Sequence, residues 1–192
     1  TPDSERTMCT FLGVAGQINE QDINDRAVKN SDMVFLEGYL WDEGEPKKAF
    51  EKAITFANKV AMSLSDKFCV DRHKTHFLDL VKNKLDITFA NEDEIMSLIN
   101  AKNFKEVIAF AKEIEKLLII TRGEKGAISI KGDQVTEVGI KRNLNIVDLT
   151  GAGDLFAAGY LHGFINDFKQ KECLEKGTEM SSKIIQQIGA RI

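Results

Sequence analysis

No apolar run in this 192-residue chain approaches the length needed to span a bilayer, and no secretory signal precedes its first strand-like segment. Blocks of one charge are also missing. Thirty acidic and 26 basic side chains are interspersed and leave a net charge of −4, so nothing resembles a nucleic-acid tail. Cysteine is scarce: Cys9, Cys69 and Cys173 are odd in number and far apart, which argues against a disulfide framework or a Cys-rich metal site and implies a reducing cytoplasm. The three histidines, His73, His76 and His162, make no zinc pattern, and the charged neighbours of the first two suggest a solvated surface. Internal repeats, low-complexity tracts and a clear interdomain linker are absent too. What remains is an ordinary globular composition, 43% hydrophobic and 29% charged, in a chain long enough for a single domain covering residues 1–192.

The pattern along the chain alternates strand and helix. Strand-like runs fall at 7–14, 33–36, 60–64, 85–90 and 117–120, and Ile146-Val147 continues the series. Helical spacing marks 22–30, the stretch after Pro46, 71–84, 104–114, 154–166 and 171–188. Asp22 or Asn24 is suited to cap the first of these. Segments 127–130 and 134–138 flank Gly132-Asp133 as a hairpin. This alternation predicts an α/β fold: a three-layer, mostly parallel sheet with helices on both faces. In such sheets ligands bind beyond the carboxyl ends of the strands. Three polar or Gly-rich segments fall there: Asn91–Glu94, Thr121–Gly126 and Thr150–Asp154.

The third of these carries the most chemistry. It belongs to the run Asp148-Leu149-Thr150-Gly151-Ala152-Gly153-Asp154, placed before a helix. Small residues let the backbone approach a ligand closely, and N–H groups at a helix start favour an anion. A Rossmann fingerprint would need a third Gly or Ala where Phe156 stands, which also argues against an NAD-binding domain, and the chain has no Walker A sequence. Asp154 has two readings of equal standing: a helix-start residue favoured by the macrodipole, or a base for a hydroxyl that attacks phosphate. Asn91-Glu92-Asp93-Glu94 reads either as an acidic first helical turn or as a carboxylate support for Mg2+ held through water. Thr121-Arg122-Gly123 is a plain turn or a nucleotide contact.

Together, and in this order, the three segments resemble the PfkB/ribokinase family of carbohydrate and nucleoside kinases. The run from Asp148 to Asp154 is similar to the family's Asp-Thr-x-Gly-Ala-Gly-Asp signature, with Leu149 the departure. Asn91 and Glu94 match its Asn-x-x-Glu motif, and Thr121 and Gly123 its Thr-x-Gly turn. The resemblance implies a ribokinase-like fold and phosphoryl transfer from ATP, with Mg2+ and with a monovalent cation left open, to a hydroxymethyl group of a nucleoside or sugar. It implies Asp154 as catalytic base and the N–H groups of Gly151, Ala152 and Gly153 as anion hole. Asn91, Thr121, Gly123 and Thr150 become nucleotide contacts, and Glu94 is tied to the metal. Arg6-Thr7-Met8, Glu37-Gly38-Tyr39-Leu40 and Gly189-Ala190-Arg191 look most like the bacterial adenosine-kinase-like branch.

The chain starts at Thr1 and runs at once into strand-like sequence, so it reads as a fragment or a processed product. Family members carry an N-terminal part that supplies the first strands, most of the lid and the sugar contacts. A chain truncated at the N-terminus in this way is expected to expose a sheet edge and to form homo-oligomers. A catalytically incomplete nucleotide-binding or regulatory module is the alternative function.

Overall fold

The computed structural model describes residues 7–41 and 45–192. It holds six strands and seven helices. They are β1 (Val34–Glu37), β2 (Val60–Ser63), β3 (Ile87–Asn91), β4 (Leu117–Thr121), β5 (Ala127–Lys131) and β6 (Gln134–Val138), with α1 (Asp25–Lys29), α2 (Pro46–Phe56), α3 (Lys67–Asp79), α4 (Glu92–Ile99), α5 (Phe104–Ile114), α6 (Ala152–Ile165) and α7 (Gln170–Ile184). The strands form one mixed sheet in the order β1-β2-β3-β4-β5-β6. The parallel register pairs Val34 with Val60 and Ala61 with Ile87. Successive strand residues point to opposite faces, yet Val60, Ala61 and Met62 are all buried, as are Leu117 through Ile120. These strands are therefore covered on both sides, as the continuous apolar runs predict.

The chain falls into two compact units. One comprises Phe11–Ile120 and Ile130–Gln134; the other comprises Thr121–Ser129, Val135–Ile192 and the described residues before Phe11. In the first unit the core gathers Phe50, Phe77, Leu64, Leu85, Ile95 and Leu98. Trp41 seats edge-on against Phe50 at 5.3 Å and Phe77 at 6.1 Å. Helix starts follow side-chain caps: Asn24 for α1, Asp66 for α3 and Asn103 for α5 each accept from a first-turn N–H.

Two strand expectations fail. Residues 7–12 have no regular structure, and Gly13–Gln17 is a 3-10 turn. Met8, Phe11 and Val14 are exposed there, so the apolar alternation finds no neighbouring strand to pair with. Ile146-Val147 is not a strand either. Its backbone is held by the end of α7 instead, with Val147 N and Asp148 N donating to the Ile185 carbonyl at 2.8 and 3.3 Å. Smaller corrections concern boundaries. Asn24, not Asp22, caps α1, because Asp22 closes a separate turn capped by Asn19. Helix α3 begins at Lys67, four residues before the predicted start, and its last turn widens into a π-helical turn over Leu80–Lys84. Helix α7 ends at Ile184, before the positive φ of +93° at Gly189. Arg6 lies outside the described residues.

Candidate active site

In the second unit, the segment from Asp148 to Gly151 forms a tight turn into α6. Gly151 is the N-cap residue with φ +80°, a conformation costly for any residue with a Cβ. A Cβ there would also lie 2.9 Å from the Ala190 Cβ. Because the N-cap is a glycine, no side chain closes the helix start. Of the three turn N–H groups expected to face an anion, that of Ala152 donates to the Leu149 carbonyl at 3.2 Å. The N–H groups of Gly151 and Gly153 have no acceptor among the described residues, and a Cβ at Gly153 would meet nothing within 4 Å. The turn is therefore open on the side where the helix dipole is positive.

Asp154 occupies the third position of α6 and is exposed. It sits in the acidic first turn, but its carboxylate caps nothing and forms no ion pair among the described residues. Thr150 is turned inward on Asp148: its N and Oγ1 both donate to Asp148 Oδ1, at 2.9 and 2.6 Å. Asp148 Oδ2 accepts from Gly189 N at 2.9 Å. The sequence reading placed Asp148 in the motif but gave it no task, and it missed the Gly189 contact. Nothing local signals that contact, because the partners are 41 positions apart.

Thr121 ends β4 half-buried, and Gly123 opens a 3-10 turn over Gly123–Lys125 with φ +54°. A Cβ at Gly123 would meet nothing within 4 Å, so this backbone too can be approached. Gly126 was not singled out from the sequence. Its φ is +87°, and a Cβ would fall 2.0 Å from the Val138 carbonyl oxygen, so only glycine fits.

Asn91 and Glu94 lie in the first unit, where they form a reciprocal capping box at the start of α4. Asn91 Oδ1 accepts from Glu94 N at 2.8 Å, and Glu94 accepts from Asn91 N at 2.9 Å and from Asn91 Nδ2 at 2.6 Å. Glu94 is only 5% exposed. Burial pushes its carboxyl up; the Asn91 backbone N–H works against this, and Asp66, Asp93 and Glu37 add to the rise, which reaches about 7. Glu37 is itself held by Ser65, whose Oγ donates to it at 3.1 Å from a left-handed backbone of φ +70°. Among the described residues, no group of three or more His, Cys, Asp or Glu side chains could hold a metal directly. Glu37, Asp66 and Asp93 add negative charge near Glu94, and Mg2+ keeps several of its waters when it binds.

The family model describing pfkB family carbohydrate kinases matches residues 1–192. The solved adenosine kinase of Sinorhizobium meliloti is 35% identical with a TM-score of 0.89, over 92% of this chain and 56% of that one. The cytidine kinase of Thermococcus kodakarensis is 32% identical over 112 residues, 57% of this chain and 40% of its own length. A putative ribokinase II from Escherichia coli, solved in complex with ATP and Mg2+, has a TM-score of 0.81 at 20% identity over 91% of this chain and 59% of that one, a likeness of fold alone. The chain thus spans about half the length of these relatives.

Proposed function

Because the chain belongs to the pfkB family of carbohydrate kinases, we propose that its protein transfers the γ-phosphoryl group of ATP to a hydroxymethyl group, with a nucleoside as the favoured acceptor and a sugar as the alternative. The observation that carries this reading is Asp154. An exposed carboxylate without a partner among the described residues sits one residue after the free Gly153 N–H, in the first turn of α6. A carboxylate at an anion-binding turn repels the anion, so its presence needs a reason, and proton removal from the attacking hydroxyl supplies one. Kinases named for adenosine and cytidine among the similar proteins favour the nucleoside.

In this mechanism Asp154 accepts the proton of the acceptor hydroxyl as that oxygen attacks the γ-phosphorus. The bond from the γ-phosphorus to the bridging oxygen of ADP breaks. The N–H groups of Gly151 and Gly153 donate to the oxygens of the phosphoryl in transit, a preorganised stabilisation that costs no rearrangement. The Ala152 N–H, bonded to Leu149, shapes the turn. Mg2+, when bound, would neutralise charge developing on the phosphates, and Glu94 with Asn91 would hold it through water. Thr121 and Gly123 would offer a hydroxyl and an open backbone to the nucleotide.

The test is transfer of label from γ-labelled ATP, with Mg2+ and with or without K+, to adenosine, cytidine and D-ribose. Labelled product with a nucleoside is expected. ATP binding without transfer to any acceptor would favour a nucleotide-binding module instead.

A further inference from the structure

Asp148 makes more contacts than a local turn requires. One oxygen accepts from Thr150 N and Oγ1, which by itself is an ordinary Asx turn. The other reaches Gly189 N at 2.9 Å, in the segment that follows α7. Two further links join the same pieces of chain. Val147 N and Asp148 N donate to the Ile185 carbonyl, and the left-handed Gly151 is packed so closely on Ala190 that a Cβ would lie 2.9 Å from the Ala190 Cβ. The conformation of 147–151 is therefore set by 185–190 as much as by its own sequence.

The choice of a carboxylate matters. Its negative charge lies three residues from a turn proposed to receive an anion, where a neutral side chain would repel the ligand less. Only a carboxylate accepts on two oxygens at once. An Asn would turn an amide N–H2 toward one of the donors it is meant to satisfy. The half-buried Asp148 thus trades electrostatic cost for rigidity in the turn.

We propose that Asp148 is a positioning residue that clamps the Gly151–Gly153 turn to the Gly189–Ala190 segment, so that the free N–H groups are fixed before the phosphoryl arrives. This rests on the kinase reading above, and it assigns a role in turnover to residues after α7 that touch no reacting atom.

Hydrogen exchange and adenosine phosphorylation in the full chain test it together, with Asp148→Ala, Asp148→Asn and Asp154→Asn compared. Loss of a charge-assisted hydrogen bond should speed exchange roughly 10-fold or more, and for Asp148→Ala the rise is expected in both 148–155 and 185–192, with α2 to α5 unchanged. Its kcat should fall on the order of 30-fold with KM for ATP nearly constant, and Asp148→Asn should recover part of that loss, since one acceptor oxygen remains. Faster exchange confined to 148–155 would mean a local turn and overturn the clamp, as would an unchanged kcat in Asp148→Ala. If Asp148→Ala does not fold, Asp148→Asn carries the test: unchanged exchange in 185–192 overturns the proposal. Asp154→Asn separates the two ideas. Full turnover in that variant sinks Asp154 as base, and no turnover in the parent sinks the kinase reading, whereas turnover lost in Asp154→Asn with no coupling at Asp148 sinks the clamp alone.

Discussion

At Glu94 both carboxylate oxygens accept from Asn91, yet the group is buried beside other carboxylates and titrates near 7. Its folded value lies above the ordinary 4.5, so the folded chain holds this proton more tightly than the unfolded chain does. The stability it contributes is complete below about 4.5 and is lost as pH rises through about 7, a change of roughly 3 kcal/mol. Without divalent cations, the unfolding midpoint should therefore fall between pH 5 and pH 8, and Glu94→Gln should flatten that fall. A variant that keeps the full slope would place the titration elsewhere. A second residue-scale prediction concerns Gly153, where a Cβ meets no protein atom. Gly153→Ala should leave the melting temperature unchanged or slightly higher, since Ala is the better helix former, yet lower kcat by crowding the bound phosphoryl. A lower melting temperature with normal kcat would mean that the glycine serves packing instead. The acidic first turn at Asn91–Glu94 was legible, because that pattern is local, but the reciprocal capping box within it was not read. The high carboxyl value was not legible, because the burial that raises it, and the approach of Asp66 and Glu37, arise only in the folded chain.

Helices α6 and α7 show how one element holds another in place. They pack through glycines: a Cβ on Gly159 would lie 2.6 Å from the Lys176 carbonyl oxygen, and one on Gly177 would lie 2.8 Å from that of Phe156. Backbone cannot yield as a flexible side chain can. Gly159→Ala should cost on the order of 1–3 kcal/mol, read as a lower denaturation midpoint, while Ala158→Ser on the exposed side should change little. Equal effects of the two would refute tight packing at this crossing. Strands β2, β3 and β4 were readable as continuous apolar runs, because burial on both faces leaves that mark. Residues 7–14 and Ile146-Val147 carry similar runs without becoming strands. Periodicity reports a wish to be buried, and only a neighbouring strand can satisfy it. The Asp148–Gly189 link was unreadable for the same reason: it joins segments that only the folded chain brings together.

On the scale of the whole molecule, β1 stands at the end of the strand order, and Phe35 within it is 38% exposed. Met8, Phe11 and Val14 add further exposed apolar surface. Among the described residues β1 has one strand neighbour, and such an edge, like exposed apolar surface, invites pairing with another chain. The isolated 192-residue chain should therefore self-associate, and light scattering after size exclusion should give a mass above that of a monomer. A monodisperse monomer at micromolar concentration would contradict this. The α/β architecture was legible from the alternation of strand and helix, and family membership from three short motifs and their order, whereas the acceptor was not. The central claim is that Asp154 is the base of a phosphoryl transfer, and the most direct measurement is kcat together with the ATP dissociation constant for Asp154→Asn. Asn keeps the size and removes the basicity, so a loss of at least about 1,000-fold in kcat is expected, with ATP binding unchanged or tighter. A variant that turns over at the rate of the parent would contradict the account.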